Sequence, residues 1–284
     1  MKKLGYVLVT ALLVVVLAAC GKSDDAADKT VKIGISGSDG MQWPLLEEKL
    51  EKEGIHIEFV EFEDYTLPNN ALAHKDIDIN AFQHVSFLSS YVKESGNDLV
   101  PLASTVFAPL GLYSEKLKDV KDIKKGDTIA IPDDPSNQAR ALKLLESAGL
   151  IELKADFGLY DDASKIIENP LELDIKPMVA QQTPQVLPDV AAAIINNGIA
   201  GQAGLSPGED PLYREDEASD NIKPYINIFA VRAEDKDNET YKKIAELYQS
   251  EDIQKAVKEE TKGGQSIVVE PQEDLLKTFE NLKK

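Results

Sequence analysis

Residues 131–151, IPDDPSNQARALKLLESAGLI, follow a short apolar run at 128–131 that predicts a buried β-strand. The aspartates and prolines after this run break the strand, and Asp134 or Ser136 can then cap a helix. Gly149 is in the position expected for the residue that ends that helix. A strand followed at once by a helix is the repeating unit of α/β folds, so this stretch predicts that class.

Arg140 lies near the start of the predicted helix, where the helix dipole disfavours a cation. The same helix start offers free backbone N–H groups to an anion, and the guanidinium fork adds further donors. The stretch therefore suits a ligand that carries a carboxylate. The alternative is that Arg140 pairs with Asp133 or Asp134, and the sequence leaves both interpretations open.

The chain before this stretch predicts another α/β unit. Residues 31–35 alternate in polarity as a strand, helical apolar spacing leads up to Gly54, and residues 55–62 alternate as a second strand. A strand, a helix and a strand within so short a span form a right-handed βαβ unit with parallel strands. Residues 77–81 then predict a third strand.

Aromatic side chains follow the ends of the second and third of these strands. Tyr65 comes after the second strand, and Phe82 and His84 end the third. Ligands of open α/β sheets bind at the carboxyl ends of the strands, so these side chains predict the wall of an apolar pocket. Phe87, on the helix that follows, is interpreted as a core residue.

The chain is long for a single hydrophobic core and suits two lobes. The apolar runs 100–113 and 225–232 are interpreted as strands that cross between these lobes. We therefore expect one lobe to comprise residues 31–109 and 228–284, and the other to comprise residues 110–227.

The N-terminus has the features of a bacterial lipoprotein signal. Two lysines precede an apolar run that is too short to span a membrane comfortably, and the run ends in LAAC at 17–20, which resembles a lipobox. We expect cleavage of residues 1–19, a lipid on Cys20, and a flexible tether over residues 20–30. An ordinary secreted protein with a stray cysteine is the alternative.

Composition excludes some classes of function. The chain has 31 Lys and Arg against 50 Asp and Glu, a formal net charge of −19, which argues against a nucleic-acid partner. Its three histidines lack metal-ligand spacing, and no serine lies in a Gly-x-Ser-x-Gly elbow. We therefore expect no enzymatic activity, no metal and no cofactor. A lipid-anchored hydrolase and a surface structural protein are the alternatives from other classes.

Several spaced motifs, which occur in order from about residue 30 to the end, resemble the NlpA/MetQ lipoprotein family. The motifs are Asp64-Tyr65, Pro68-Asn69 and Ala71-Leu72; Asp78 to His84; Ile131 to Asn137, Arg140 to Leu142 and Ala148 to Ile151; Asn196; Ala203 to Leu205; and Pro224 to Asn227. Members of that family are the substrate-binding subunits of methionine ABC importers. The resemblance implies a two-lobed α/β periplasmic-binding-protein fold with a ligand cleft between the lobes.

The resemblance also implies roles for individual residues. Arg140 would bind the α-carboxylate of methionine, Asn196 and Asn227 would bind its head groups, and Asn137 belongs to the same ligand-binding set. Tyr65, Phe82 and His84 would line the pocket for the thioether, since aromatic faces suit a polarizable sulfur. The implied partners are methionine, an ABC permease and the extracytoplasmic face of the membrane, which is reached through the lipid on Cys20. A monomer is expected.

One motif departs from the family. Many members have Asn-x-Asn-Tyr-Ala where this chain has Asn196-Asn197-Gly198-Ile199-Ala200. The departure leaves the exact ligand open between L-methionine, D-methionine, another amino acid and a dipeptide such as glycyl-methionine, which a related branch of the family takes.

Overall fold

The computed structural model of the chain describes residues 30–37, 40–218 and 222–284. The predicted signal segment, Cys20 and nearly all of the predicted tether lie outside the described residues. Within the described ranges, no helix combines the length and the apolar character that a membrane crossing requires.

Strands and α-helices alternate from residue 31 to residue 107, as the βαβ pattern predicts, and several strands follow one another directly in the rest of the described chain. In chain order the strands are β1 Val31–Ile35, β2 Ile57–Glu61, β3 Ile79–His84, β4 Leu99–Phe107, β5 Gly111–Tyr113, β6 Thr128–Pro132, β7 Glu152–Leu153, β8 Ile166–Glu168, β9 Asp174–Met178, β10 Ala192–Ile195, β11 Tyr213–Arg214, β12 Ile226–Arg232 and β13 Ser266–Ile267. The α-helices are α1 Gln42–Lys52, α2 Leu67–Ala73, α3 Val85–Ser95, α4 Pro135–Ser147, α5 Asn197–Gln202, α6 Glu239–Tyr248, α7 Glu251–Glu260 and α8 Gln272–Leu282.

The first lobe is built on a six-stranded sheet in the order β13-β4-β12-β3-β1-β2. β1 is parallel to both β2 and β3, which confirms the predicted βαβ unit. β12 lies antiparallel between β3 and β4. The core of this lobe packs the sheet against the surrounding helices through fully buried side chains such as Ile33, Leu46 and Phe279.

The second lobe is built on a five-stranded sheet in the order β11-β5-β10-β6-β9. β6 is parallel to β9 and β10, and α4 follows it directly, as the sequence predicts. The Asp134 side chain caps α4 by accepting a hydrogen bond from the backbone N–H of Asn137. Gly149 takes a positive φ of 74° just after the helix, a conformation that favours glycine. Leu142 and Leu145 are fully buried in this lobe's core.

Two segments join the sheets. Residues 108–110 connect β4 to β5, close to the position that the sequence indicates. The return crossing lies between β11, which ends at Arg214, and β12, which begins at Ile226, and not within residues 225–232 as the sequence predicts. β12 instead pairs along its length inside the first sheet, because its apolar side chains are buried there between two neighbouring strands.

The two lobes also contact each other beside these crossings. Asn197, at the start of α5 in the second lobe, donates hydrogen bonds to the carbonyl oxygens of Pro109 at 3.2 Å and Gly264 at 2.7 Å. Its Oδ1 accepts a hydrogen bond of 2.7 Å from Gln265 Nε2. Gly264 and Gln265 belong to the first lobe, so this buried amide joins the lobes next to Asn196.

Candidate ligand-binding cleft

A cavity of about 460 Å³ lies between the two sheets and is lined from both lobes. The structure brings all seven ligand-binding residues expected from the sequence to its wall. They are Tyr65, Phe82, His84, Asn137, Arg140, Asn196 and Asn227. Asn227 lies opposite His84 in the register of β12 and β3, so both side chains belong to the same end of the first sheet.

Aromatic rings form one wall of the cavity. Phe82 lies 5.7 Å from Tyr65 and 5.7 Å from Phe87 between ring centroids, and Phe87 lies 6.2 Å from His84. The interpretation of Phe87 as a core residue is wrong, because its half-buried ring lines the cavity. An aromatic wall of this kind accommodates an apolar or polarizable ligand group.

His84 is a neutral imidazole with a defined tautomer. Its Nδ1 accepts a hydrogen bond of 3.1 Å from the Phe87 backbone N–H, so the ring proton lies on Nε2. Nε2 then donates to Asn137 Oδ1 at 3.2 Å. Burial, followed by the charge of Arg140, lowers the pKa of His84 from 6.5 to about 3. The first-lobe wall therefore presents no charge at His84 near neutral pH.

Two asparagines extend this hydrogen-bond chain into the second lobe. Asn137 Oδ1 accepts from Asn196 Nδ2 at 2.9 Å, while Asn137 Nδ2 donates to the Asp134 carboxylate at 2.9 Å. These bonds fix the orientation of the Asn196 amide, whose nitrogen faces Asn137. Its buried Oδ1 has no hydrogen-bond partner in the described part of the chain. Because a buried acceptor is costly to leave unpaired, this oxygen suits an ammonium or N–H group of a ligand.

Arg140 lies in the second turn of α4, and its side chain is only 3% exposed. Neither Asp133 nor Asp134 is its partner. The carboxylate of Glu215 accepts from Arg140 Nε at 2.7 Å and from Nη2 at 2.5 Å, and the Ala108 carbonyl accepts from Nη2 at 3.0 Å. The structure therefore corrects two expectations. Arg140 does not pair with an aspartate of the same turn, and its guanidinium fork is not free for a ligand, because Glu215 occupies Nε and Nη2. Among the described residues Nη1 makes no hydrogen bond, so it is the nitrogen that remains for one.

The structure adds supporting residues that the sequence analysis did not assign to the site. Asn69 Oδ1 accepts hydrogen bonds from Asn80 Nδ2 at 2.8 Å and from Gln83 Nε2 at 2.6 Å, and all three amides are buried. This cluster fixes the carboxyl end of β3 to α2, and thereby positions Phe82 and His84. Its members lie within motifs that carried the family resemblance, which was the signal available for them.

Phe82→Ala should weaken ligand affinity by about 1–2 kcal/mol, or roughly five- to thirty-fold, because it removes apolar contact from the aromatic wall. The half-buried ring faces the cavity, so the fold should persist. Calorimetric titration and thermal melting measure the two effects separately. A large drop in melting temperature with unchanged affinity would show that Phe82 is a residue of the hydrophobic core and does not contact the ligand.

The depressed pKa of His84 predicts a loss of stability in acid. Between pH 6.5 and about 3 the unfolded chain binds a proton at this position and the folded protein does not. The free energy of unfolding should therefore fall as the pH drops through that window, with a slope of up to about 1.4 kcal/mol per pH unit. Urea denaturation at several pH values measures the slope. His84→Asn keeps a capping side chain but cannot titrate, so an equal slope in that variant would contradict the assignment.

A two-lobed α/β protein whose interlobe cavity combines an aromatic wall with polar head-group partners is a solute-binding protein of the periplasmic-binding-protein class. The profile of the NlpA lipoprotein family matches residues 31–269. The chain therefore belongs to the NlpA lipoprotein family, and several of its relatives are likewise named lipoproteins.

Individual relatives agree with this assignment. The D-methionine-binding lipoprotein MetQ of Salmonella typhimurium is 39% identical over 252 residues, covering 87% of this chain and 91% of that protein. The crystal structure of protein PG110 from Staphylococcus aureus is 49% identical, with a TM-score of 0.86, and covers 90% of this chain and 100% of that one. A nutrient-binding protein from Burkholderia cenocepacia, solved bound to methionine, is 40% identical with a TM-score of 0.79, over 84% of this chain and 99% of that one.

Proposed function

We propose that this protein is the substrate-binding lipoprotein of an ABC importer, and that it captures methionine outside the cell and delivers it to the membrane permease. The single observation that carries the proposal is the unpartnered Oδ1 of Asn196, buried in the same cavity wall as Arg140 and the aromatic rings. An amino acid with a large polarizable side chain satisfies all three features at once. The names of the relatives support the same ligand.

In the proposed complex the α-carboxylate accepts hydrogen bonds from Arg140 Nη1, and the ammonium donates to Asn196 Oδ1, with Asn227 beside it. The thioether contacts the rings of Tyr65 and Phe82. Asn137 plays a positioning role, since its oxygen already accepts from His84 and Asn196 and its nitrogen donates to Asp134. We propose the two sheets as the two lobes, with one chain sufficient to form the site.

Mass spectrometry of the small molecule released when the purified protein is denatured tests this function. We expect methionine to be released, and we expect calorimetric titration of the emptied protein to show binding of L-methionine but not of glutamate. Titration with D-methionine determines whether both enantiomers bind. Release of an unrelated compound, together with no heat from methionine, would contradict the proposal.

A methionine-containing dipeptide is the second candidate ligand, and one observation favours it. Gly198 and Gly201 line the cavity, and a Cβ atom added at either would meet nothing within 4 Å. The cavity therefore has free space beside α5 that a residue preceding methionine can occupy. Parallel titrations with methionine and glycyl-methionine distinguish the candidates.

We propose binding without catalysis, and intact recovery of glycyl-methionine after incubation with the protein would argue against a hydrolase.

Cys20→Ala should leave the precursor uncleaved and without lipid, because the sequence LAAC places Cys20 at the predicted processing site. Two acyl chains hold a protein stably on a membrane, so the variant should lose this anchor on the extracytoplasmic face. Labelling of cells with radioactive palmitate, followed by purification of the protein, measures the change. Incorporation of the label into the Cys20→Ala protein would contradict lipidation at this residue.

A further inference from the structure

The carboxylate of Glu215 is held in place from several directions. It accepts hydrogen bonds from Arg140 Nε and Nη2, and its Oε2 also accepts from the Leu110 backbone N–H at 2.8 Å. The backbone N–H of Glu215 donates to the Leu110 carbonyl at 3.1 Å. Since Leu110 lies in a segment that joins the lobes, Glu215 is part of a fixed framework that a ligand carboxylate would not displace.

This pair balances the charge of Arg140 before any ligand arrives. The two side chains are 3% and 17% exposed, so solvent screens their interaction only weakly. The guanidinium also lies over the ring of Tyr225, 4.6 Å from its centroid. A ligand carboxylate at Nη1 is therefore attracted by Arg140 and is also repelled by Glu215, which lies on the other side of the guanidinium at Nε and Nη2.

The other cation on the cavity wall is also balanced. Lys262 pairs with the carboxylate of Glu209, although both side chains are more than half exposed. Glu260 lines the cavity as well, and it accepts a hydrogen bond of 2.8 Å from the Met41 backbone N–H. Among the described lining residues, no cation is thus left without a carboxylate beside it. Such a wall does not favour a ligand with net negative charge.

We propose that Glu215 sets the net charge of the ligand that the cleft accepts, admitting molecules whose carboxylate is balanced by an ammonium group and disfavouring net anions. This inference rests on the proposed function and names the charge class of its substrate. Glu215 acts through Arg140 and not by contact with the ligand. Glu215 therefore affects ligands differently according to their net charge, whereas a purely structural ion pair would affect all ligands alike.

Three methionine derivatives of different charge test this role by calorimetric titration. They are N-formylmethionine with net charge −1, methionine with net charge zero, and methionine amide with net charge +1. The quantity compared is the ratio of the dissociation constants of Glu215→Gln and the unaltered protein for each ligand. We expect Glu215→Gln to lower the dissociation constant of N-formylmethionine and to raise that of methionine amide. The ratios for these two ligands should therefore differ by a factor on the order of ten. Equal ratios for all three ligands would overturn the proposal, since a structural role affects every ligand alike.

Glu209→Gln is the matched control. It removes the carboxylate beside Lys262, but both of these side chains are more than half exposed, so solvent screens the change in charge and the three ratios should be nearly equal. A spread as large as that of Glu215→Gln would overturn the specific role of Glu215. If the Glu215 variant does not fold, the unaltered protein still provides a test, because it must bind methionine more tightly than N-formylmethionine, which keeps the carboxylate but carries a net negative charge. The reverse order would overturn the inference. Failure to bind methionine at all would overturn the proposed function as well, whereas methionine binding with equal ratios would overturn only the role of Glu215.

Discussion

Arg140→Ala is expected to cause the largest loss of methionine affinity of any single substitution in the cleft. The substitution leaves the ligand carboxylate desolvated without a charged partner, at a cost of about 2–5 kcal/mol. That corresponds to roughly 30-fold to several thousand-fold in the dissociation constant. The methyl ester of methionine has no carboxylate to lose, so the variant should bind methionine and its ester about equally.

The same substitution should also lower the stability of the empty protein. An argument from the helix dipole alone predicts almost no change, because the cation lies in the first half of α4. The structure changes this expectation, since Arg140→Ala leaves the partly buried Glu215 carboxylate with the Leu110 N–H as its one remaining donor among the described residues. Removal of one partner of a buried pair typically costs about 3–5 kcal/mol, and the 17% exposure of Glu215 should reduce that cost.

Titration calorimetry and thermal melting of two further variants separate these effects. Arg140→Lys keeps the charge but loses the planar fork, so it should weaken both the Glu215 pair and ligand binding. Arg140→Ala combined with Glu215→Ala removes the unpaired carboxylate, and should recover stability without recovering affinity. An affinity for methionine within about twofold of the unaltered protein in Arg140→Ala would show that Arg140 only holds Glu215 and never meets the ligand.

The local elements could be predicted because their signals are local. The strand at 128–131, the cap at Asp134 and the positive φ at Gly149 each depend on a few neighbouring residues. Local patterns indicate Arg140 and the aromatic side chains, the resemblance to a family adds the three asparagines, and the structure brings the whole set to one cavity. Phe87 was also predictable in principle. Val85 and Leu88 mark the buried face of α3, and helical spacing places Phe87 on another face.

The partner of Arg140 could not be predicted in the same way. Glu215 is 75 positions away in the sequence and lies in an acidic stretch in which several carboxylates look equivalent. Only the pairing of β11 with β5 brings it beside Leu110 and the guanidinium. Strand β9 escaped prediction because it is an edge strand with largely exposed residues and a proline at position 177, so it lacks the alternation of a half-buried strand.

Gly208→Ala should weaken ligand binding by holding the two lobes apart. Gly208 belongs to the second lobe, and a Cβ atom there would lie 2.7 Å from the Lys262 carbonyl oxygen and 2.8 Å from that of Thr261. Both oxygens belong to the first lobe and to its backbone, so no flexible side chain can move aside. Overpacking of this kind costs about 1–3 kcal/mol, and this cost would make contact between the lobes less favourable. If ligand binding depends on hinge closure of the lobes, the dissociation constant should rise roughly five-fold to more than a hundred-fold.

Gly201→Ala provides the matched control, because Gly201 lies on α5 of the same lobe and an added Cβ atom there would meet nothing within 4 Å. We expect the control to bind methionine nearly as the unaltered protein does. The empty Gly208→Ala protein should melt at nearly the unaltered temperature, since separated lobes do not bring Gly208 against Thr261. Small-angle scattering should show that methionine compacts the control but compacts the Gly208→Ala protein less. Equal compaction and equal affinity in the two variants would mean that the contact at Gly208 yields without cost and that closure does not depend on it.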